Sequence, residues 1–256
     1  MQPGSTIKPI AVYAPALEDK IINFSSLISD TAIPDWSYDS NGNSVSGPNN
    51  WYEGYRGNIT VSTALQISSN AATVNLLQQI GMNESYNYAT VKFKLSHLDK
   101  EQDSKNIVAM SMGGIHGGTT VREMTAAYVP FCNGGTYYEP YTYYYVTDQD
   151  NNIILDQRDK RVSSRAISEE TASIMNRLLI QVVSGKEGIG YRAAVKGWEI
   201  MGKTGTTDNT YDNWFVGASP YAVAGIWQGH DIPATINQEE EGKNHILWSQ
   251  IMTEYL

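Results

Sequence analysis

The sequence predicts an α+β fold in which helices enclose an antiparallel sheet. Three observations support this prediction. A polar, amphipathic helix follows Ser168, strands are expected near residues 198–206, 212–218 and 221–228, and a terminal helix is expected from about Asn244. The 256 residues provide ample chain for a hydrophobic core, and we treat residues 1–256 as one domain.

The other elements follow from local patterns. In chain order they are a helix over 7–17, an ordered loop over 30–58, two helices that flank residues 68–70 and end at Gly81, a helix from Thr120 to Gly134, a β-hairpin over 137–155 and a helix from Ser168 to Gly185. Residues 30–58 are predicted as loop because they are rich in Asn, Gly, Ser, Pro and Asp. Thr120 and Glu123 have the spacing of a capping box.

Composition excludes several function classes. Hydrophobic residues make up 41% of the chain and charged residues 18%, and the formal net charge is −9. Because nucleic-acid binders need a basic surface, we expect no nucleic-acid partner. No run of about 20 apolar residues is present, so we expect no membrane contact from this chain itself.

Cysteine and histidine usage argues against a disulfide and a metal site. Cys132 is the only cysteine, so no internal disulfide is possible, and we expect it in the core of an apolar helix. The four histidines lack ligand spacing, and we therefore predict no metal site; they are His97, His116, His230 and His245.

The segment Ser5-Thr6-Ile7-Lys8 has the spacing of a serine nucleophile and its base. A serine hydroxyl is a poor nucleophile until a base takes its proton, and a residue three positions along a helix lies on the same face. Lys8 can act as that base only if burial or a nearby cation such as Lys203 lowers its pKa from about 10.4. Because a Ser-x-x-Lys match is expected roughly once by chance in such a chain, an exposed, frayed N-terminus is the alternative.

A Ser-x-Asn pattern occurs three times, at residues 68–70, 85–87 and 104–106. Only the first lies between apolar runs, at the junction of two predicted helices. We therefore expect Ser68 to relay a proton and the Asn70 amide to bind a substrate amide. Helix capping is the alternative, and we prefer capping for Ser69.

The third motif is Lys203-Thr204-Gly205-Thr206, after an apolar stretch that predicts a strand. A glycine in a strand marks the close approach of another backbone or a ligand, as a substrate lying antiparallel along a strand edge requires. Lys203 would add positive charge, and the hydroxyls of Thr204 and Thr206 would bind a substrate carboxylate. The Thr206 amide would form an oxyanion hole with that of Ser5. A plain edge strand with a solubilising lysine is the alternative.

These motifs, in this order, resemble the transpeptidase domain of class A, bifunctional penicillin-binding proteins. The resemblance covers nearly the whole chain. Residues 2–9 resemble the family's nucleophile segment, and residues 55–60 resemble the approach to its second motif. Residues 112–128 are similar to a family segment that comes before Asn133-Gly134-Gly135. Residues 212–217 and 226–231 are similar to the two strands after the Lys-Thr-Gly strand.

The resemblance implies a fold like that of penicillin-binding proteins and β-lactamases, and a peptidoglycan D,D-transpeptidase without a cofactor. It implies that Ser5 is acylated by a stem peptide ending in D-Ala-D-Ala, that Lys8 is the base, and that an acceptor amine takes the acyl group. β-Lactams would acylate the same serine. The implied roles of Ser68 and Asn70 are proton relay and amide contact, and the implied carboxylate and oxyanion groups are Lys203, Thr204 and Thr206.

One departure from the family's pattern concerns the position of the nucleophile. Family members carry a membrane anchor, a glycosyltransferase domain, a linker and the first sheet strands ahead of it, whereas here the nucleophile is residue 5. We therefore expect an N-terminally incomplete domain of a membrane-anchored parent protein at the extracytoplasmic face of the bacterial membrane. Two alternatives remain, a β-lactamase-like serine hydrolase, whose Glu-x-x-Leu-Asn string is missing here, and a non-catalytic penicillin-binding sensor or remnant.

Overall fold

The computed structural model describes residues 1–237, 240 and 242–256. The α-helices are α1 (Ala14–Glu18), α2 (Val61–Gln66), α3 (Asn70–Ile80), α4 (Met82–Asn87), α5 (Ile107–Met112), α6 (Val121–Tyr128), α7 (Glu169–Ser184) and α8 (Lys243–Tyr255). The strands are β1 (Leu27–Asp30), β2 (Ile33–Tyr38), β3 (Ser44–Gly47), β4 (Gly57–Thr60), β5 (Thr136–Tyr138), β6 (Tyr145–Thr147), β7 (Ile153–Asp156), β8 (Ser163–Arg165), β9 (Met201–Thr206), β10 (Asp212–Ala218) and β11 (Val223–Gly229). Short 3₁₀ helices lie at Gly4–Ile7, Asp103–Lys105, Val129–Phe131 and Tyr191–Ala193, and π-helical turns at Pro9–Tyr13 and Tyr88–Lys92.

The largest sheet among the described residues has three antiparallel strands in the order β11-β10-β9. Trp214 in the middle strand lies opposite Gly205 of β9 and Trp227 of β11. The three expected strands are thus confirmed, although β9 begins at Met201 and β11 at Val223. The other strands form antiparallel pairs, which are β1 with β4, β2 with β3, β5 with β8, and β6 with β7.

Helices cover both faces of this sheet. Trp214 and Val216 of β10 are fully buried in a core that also contains the N-terminal helix, α3, α6 and α7. Phe215 points to the opposite face, where it packs with Trp248 and Met252 of α8. Alternate side chains of one strand therefore bury in two cores, each large side chain contributing about 1.5 to 3 kcal/mol. The predicted enclosure of the sheet by helices is confirmed.

The N-terminal helix forms, but it begins at Gly4 and changes its hydrogen-bond register along its length. Pro9 has no N–H, so it cannot donate to the carbonyl of Ser5. That carbonyl accepts from the Lys8 amide instead, and further along the Ala14 amide donates to the carbonyl of Pro9. The apolar side chains of this helix are fully buried, which anchors Ser5 and Lys8 to the core.

The prediction of a loop over 30–58 was wrong, because four strands begin or end there. β1 pairs with β4 from Asp30 opposite Gly57, and β2 and β3 form a hairpin. Side chains of this hairpin do not alternate between buried and exposed positions, so the sequence lacks the period that predicts strands. The hairpin turn depends on Asp39, whose carboxylate accepts from the amides of Asn41 and Asn43.

The helix that opens at Thr120 has the expected capping box but ends earlier than predicted. α6 ends at Tyr128, because Pro130 lacks the N–H that would continue it, and a short 3₁₀ turn follows. Cys132 lies beyond that turn and is exposed, so the expectation of a core cysteine was wrong.

The remaining helix boundaries agree with the sequence. α3 ends at Gly81, whose φ is +87°, a conformation that glycine adopts without a steric penalty. Ser168 caps α7 through the Thr171 amide, and the helix stops before Gly185. α8 begins at Lys243. β6 and β7 form a hairpin around the expected turn, but it is shorter than predicted, because Tyr137 and Tyr138 lie in β5, which pairs with β8.

Candidate active site

All three motifs converge on one cleft. Ser5 from the N-terminal helix, Ser68 from the turn between α2 and α3, and Thr204 from β9 line a cavity of 670 Å³. Asn70 and Thr206 line it as well. The side chains of Lys8 and Lys203 lie behind this lining and are fully buried. The structure therefore brings together all eight site residues predicted from the sequence, Gly205 being flanked by two of the lining residues.

Glycines allow the N-terminal segment to approach β9 closely enough to place Ser5 beside it. A Cβ atom on Gly205 would lie 2.5 Å from the carbonyl oxygen of Pro3. A Cβ atom on Gly4 would lie 2.8 Å from the carbonyl oxygen of Thr206, and the φ of Gly4 is +53°. Gly205 thus serves the contact between two parts of this chain, one of the two uses expected for it.

Lys8 is held by the second motif. Its Nζ atom donates to the Ser68 carbonyl at 2.7 Å and to Asn70 Oδ1 at 2.7 Å. Burial lowers the pKa of Lys8 well below its usual value of 10.5, and the nearby ammonium of Lys203 lowers it further. Nζ also lies 3.3 Å from the Ser69 carbonyl oxygen and 3.4 Å from Ser68 Oγ. In the neutral amine the two N–H groups serve the two short bonds, and the lone pair is the site that can take up a proton.

Lys203 contacts the same turn from the opposite side. Its Nζ atom lies 2.8 Å from Ser68 Oγ and 3.0 Å from the Thr204 carbonyl oxygen. Burial lowers the pKa of Lys203 from 10.5 to about 7. The side chain therefore carries a positive charge on only part of the molecules at neutral pH.

Ser68 bridges the two lysines. Its Oγ atom lies 3.4 Å from Nζ of Lys8, in addition to the shorter contact with Lys203. The Ser68 backbone has a φ of +53°, which is rare for a residue with a side chain and costs about 1 to 3 kcal/mol. This conformation accompanies the contact of Ser68 with both amines at the lining of the cleft.

The structure also separates the three Ser-x-Asn patterns. Ser85 donates to the Ala11 carbonyl within the core, and Ser104 donates to the Lys100 carbonyl on the surface. Neither of these serines lines the cleft. Ser69 accepts from the Ala72 amide and caps α3, as expected.

Sequence reasoning missed several residues of the cleft. His245, at the start of α8, lines it together with Trp51 and Asp208. The Nδ1 atom of His245 is buried without a partner among the described residues, and burial, Arg192 and Lys203 together lower the pKa of its ring to about 4. These residues lie outside the motifs, so no local pattern could have placed them at the site.

Over residues 1–246, the sequence matches the family described as "Penicillin binding protein transpeptidase domain". The chain belongs to this family. It is 37% identical to penicillin-binding protein 1A of Clostridium acetobutylicum over 257 residues, which cover 97% of this chain and 30% of that protein. The transpeptidase domain thus spans about 30% of the length of this relative.

Solved structures of penicillin-binding proteins have the same fold as this transpeptidase domain. Penicillin-binding protein 1A of Haemophilus influenzae matches 100% of this chain and 42% of its own, with a TM-score of 0.80 and 22% identity. Penicillin-binding protein 3 of Mycobacterium tuberculosis, solved with aztreonam, matches 100% of this chain and 62% of its own, with a TM-score of 0.78 and 20% identity. The predicted penicillin-binding-protein-like fold is confirmed.

Among residues 1–237, 240 and 242–256, no group of three or more His, Cys, Asp or Glu side chains could hold a metal ion. None of the helices in the described ranges is both long enough and apolar enough to cross a membrane.

Proposed function

We propose that this domain is a serine-type D,D-transpeptidase that cross-links peptidoglycan stem peptides through an acyl-enzyme on Ser5. One observation carries the proposal. Ser68 Oγ lies 2.8 Å from Nζ of Lys203 and 3.4 Å from Nζ of Lys8, in the cleft that Ser5 lines. A serine nucleophile needs a base that is unprotonated near neutral pH, and burial of two lysines together supplies one.

In the first half-reaction, Ser5 Oγ attacks the carbonyl carbon of the penultimate D-Ala, and Lys8 accepts the Ser5 proton. The backbone amides of Ser5 and Thr206 stabilise the negative charge on the carbonyl oxygen. The bond to the terminal D-Ala then breaks. Ser68 gives its proton to the leaving amine and regains one from Lys8, so the product D-Ala leaves and an ester on Ser5 remains.

Recognition of the donor peptide rests on β9 and on Asn70. The Asn70 Nδ2 atom donates to the Asn49 carbonyl at 2.9 Å, and its second N–H remains for a substrate carbonyl. β9 is an edge strand of its sheet among the described strands, so a peptide can lie along it near Gly205. The hydroxyls of Thr204 and Thr206, with the charge of Lys203, bind the terminal carboxylate.

In the second half-reaction, an amine from a neighbouring stem peptide attacks the ester carbon. A peptide bond forms, the bond to Ser5 Oγ breaks, and the serine regains its proton. A β-lactam acylates Ser5 in the first step by opening of its ring amide. The structure of a protein of the same fold with aztreonam supports this assignment.

The proposed substrates are components of the cell wall, which lies outside the cytoplasm. We infer that it works at the extracytoplasmic face of the bacterial membrane, as part of a membrane-anchored protein longer than this chain. The length of its relatives supports this, since the match covers 30% of penicillin-binding protein 1A of Clostridium acetobutylicum. The net charge of −9 is consistent with a partner that is not a nucleic acid.

The test is turnover of a peptide substrate. The domain is incubated with a synthetic stem peptide ending in D-Ala-D-Ala and with an amine acceptor, and the products are separated by mass spectrometry. We expect release of D-Ala together with an amide that joins donor and acceptor, both lost in Ser5→Ala and kept in Ser104→Ala. Release of D-Ala with water as the only acceptor at all amine concentrations would contradict transpeptidation.

A further inference from the structure

A buried carboxylate outside the three motifs contacts the turn that carries the second motif. Asp30, the last residue of β1, is fully buried. Its Oδ1 atom accepts from Ser69 Oγ at 2.8 Å and Asn50 Nδ2 at 3.0 Å. Its Oδ2 atom accepts from the Tyr52 hydroxyl at 2.8 Å and the Arg56 amide at 2.9 Å. Burial raises the pKa of this carboxyl, but these hydrogen bonds outweigh burial and hold the pKa below its usual value.

Asn50 links this carboxylate to the first turn of α3. Its Oδ1 atom accepts from the backbone amide of Asn70 at 2.8 Å and from that of Ala71 at 3.3 Å. Its Nδ2 atom donates to Asp30 and, at 3.2 Å, to the Gly54 carbonyl. The amide side chain of Asn50 therefore occupies the helix terminus where backbone N–H groups lack helical partners.

The contacts of Asp30 and Asn50 end at the residues that hold Lys8. Ser68 has a left-handed backbone, and its carbonyl oxygen accepts from Lys8 Nζ. Asn70 Oδ1 accepts from the same atom. A small rotation of this turn would move both acceptors of Lys8 and the Ser68 hydroxyl at once. Movements of about 1 Å at a reacting centre can lower rates by about 10²-fold.

We propose that Asp30 and Asn50 form a positioning pair for acyl transfer, holding the Ser68–Asn70 turn so that Ser68 Oγ and Lys8 Nζ face the nucleophile. The proposal rests on the proposed function, because it assigns the pair a role only through those residues. Asp30 is fully buried, away from the cleft lining. Asn50 lines the cleft, but its side-chain amide is bound to Asp30, to the Gly54 carbonyl and to the amides of Asn70 and Ala71, so we assign neither member of the pair a catalytic role.

Exchanging the two side chains separates positioning from simple stabilisation. In Asp30→Asn an N–H group replaces an oxygen that accepts hydrogen bonds, and in Asn50→Asp a second carboxylate lies beside the first. In the double variant the amide is at position 30 and the carboxylate at position 50. The amide can then donate to this carboxylate, which still accepts from the backbone amides at the start of α3. The Gly54 carbonyl loses its donor, and the Ser69 hydroxyl loses Asp30 Oδ1 as its acceptor but can donate to the carboxylate at position 50, since the residue 50 side-chain oxygen lies 3.3 Å from Ser69 Oγ in the wild type.

The experiment compares wild type, both single variants and the double variant. The second-order rate constant of labelling by a fluorescent penicillin is measured at a temperature at which circular dichroism shows each protein folded. Asp39→Asn is the matched control, because the carboxylate of Asp39 likewise accepts from the Asn41 and Asn43 amides but on the exposed hairpin.

We expect each single variant to label about 10- to 100-fold more slowly than wild type, and Asp39→Asn to label at the wild-type rate. The double variant should label about tenfold faster than the slower single variant, because coupled residues within one hydrogen-bond network restore each other's partners. A residue that only stabilises the fold would change the melting temperature and leave the labelling rate of the folded protein unchanged.

Wild-type labelling rates in folded single variants would overturn the proposal. A double variant whose loss of labelling rate equals the product of the two single losses would overturn it as well. If Asp30→Asn does not fold, the comparison of the double variant with Asn50→Asp decides in the same way. If neither Asp30→Asn nor the double variant folds, labelling of Asn50→Asp at the wild-type rate is the overturning result. Failure of the proposed function is distinct, because wild type would then form no adduct that depends on Ser5.

Discussion

Replacing Lys203 with Met should change how the stability of the domain depends on pH. Lys203 is fully buried, and its Nζ atom contacts Ser68 Oγ and the Thr204 carbonyl oxygen. Methionine has a similar unbranched side chain without the charge, so Lys203→Met keeps most of the packing and removes the titrating group. The difference between the two proteins then isolates the effect of protonating this amine.

The size of the effect follows from the pKa of Lys203. Burial lowers it from 10.5 to about 7, and each pKa unit corresponds to about 1.36 kcal/mol, so the full effect is about 5 kcal/mol. Between these two values the unfolded chain binds more protons than the folded one, so wild-type stability rises with pH. From pH 7 to pH 9 the gain relative to Lys203→Met is about 2 kcal/mol.

The measurement is urea unfolding of wild type and Lys203→Met at pH 7 and pH 9, followed by circular dichroism. Comparing the two proteins cancels all groups that titrate alike in both. Lys8 adds to the effect in the same direction, because the charge of Lys203 also lowers the pKa of Lys8. Lys196→Met, which changes an exposed lysine, should show no such pH dependence. A stability difference between wild type and Lys203→Met that stays constant over this range would refute the reasoning.

Three further predictions concern the reaction itself. Lys8→Met should lower the rate of acylation by penicillin about 10²- to 10⁴-fold, the usual contribution of a general base, while Ser104→Ala leaves it unchanged; equal rates in both would exclude Lys8 as the base. Gly205→Ala places a Cβ atom 2.5 Å from the Pro3 carbonyl oxygen, so the segment that carries Ser5 must shift. Labelling by penicillin should therefore slow by about 10²-fold. Labelling at the wild-type rate would show that the close contact between Pro3 and Gly205 is not needed. The acyl-enzyme should persist for many minutes, because Asp208 supplies the one carboxylate among the described lining residues and lies in no recognisable hydrolytic motif; rapid turnover of a chromogenic cephalosporin would favour a β-lactamase.

Local signals in the sequence were sufficient to predict several helix ends and the choice among the serines. The capping residues Thr120 and Ser168 and the terminating Gly81 act within one helical turn, so their effect is visible in a few neighbouring letters. Ser68 was separated from Ser85 by its flanking apolar runs, and the structure shows that only Ser68 of these two lines the cleft.

Features that depend on distant contacts could not be predicted. The side chains of β2 and β3 lie on an exposed ribbon, so burial imposes no alternation on their sequence. Cys132 follows the 3₁₀ turn at Val129–Phe131 and is exposed, which the apolar residues before it do not predict. His245 reaches the cleft only because α8 packs on the sheet, and Asp30 acts on the turn at Ser69 from 39 residues away.

The most direct test of the central claim is to identify the residue that penicillin acylates. The domain is incubated with benzylpenicillin, its intact mass is measured, and the modified peptide is sequenced by tandem mass spectrometry. We expect one adduct per chain, located on Ser5 and absent from Ser5→Ala. An adduct on any other residue, or one that survives Ser5→Ala, would contradict it.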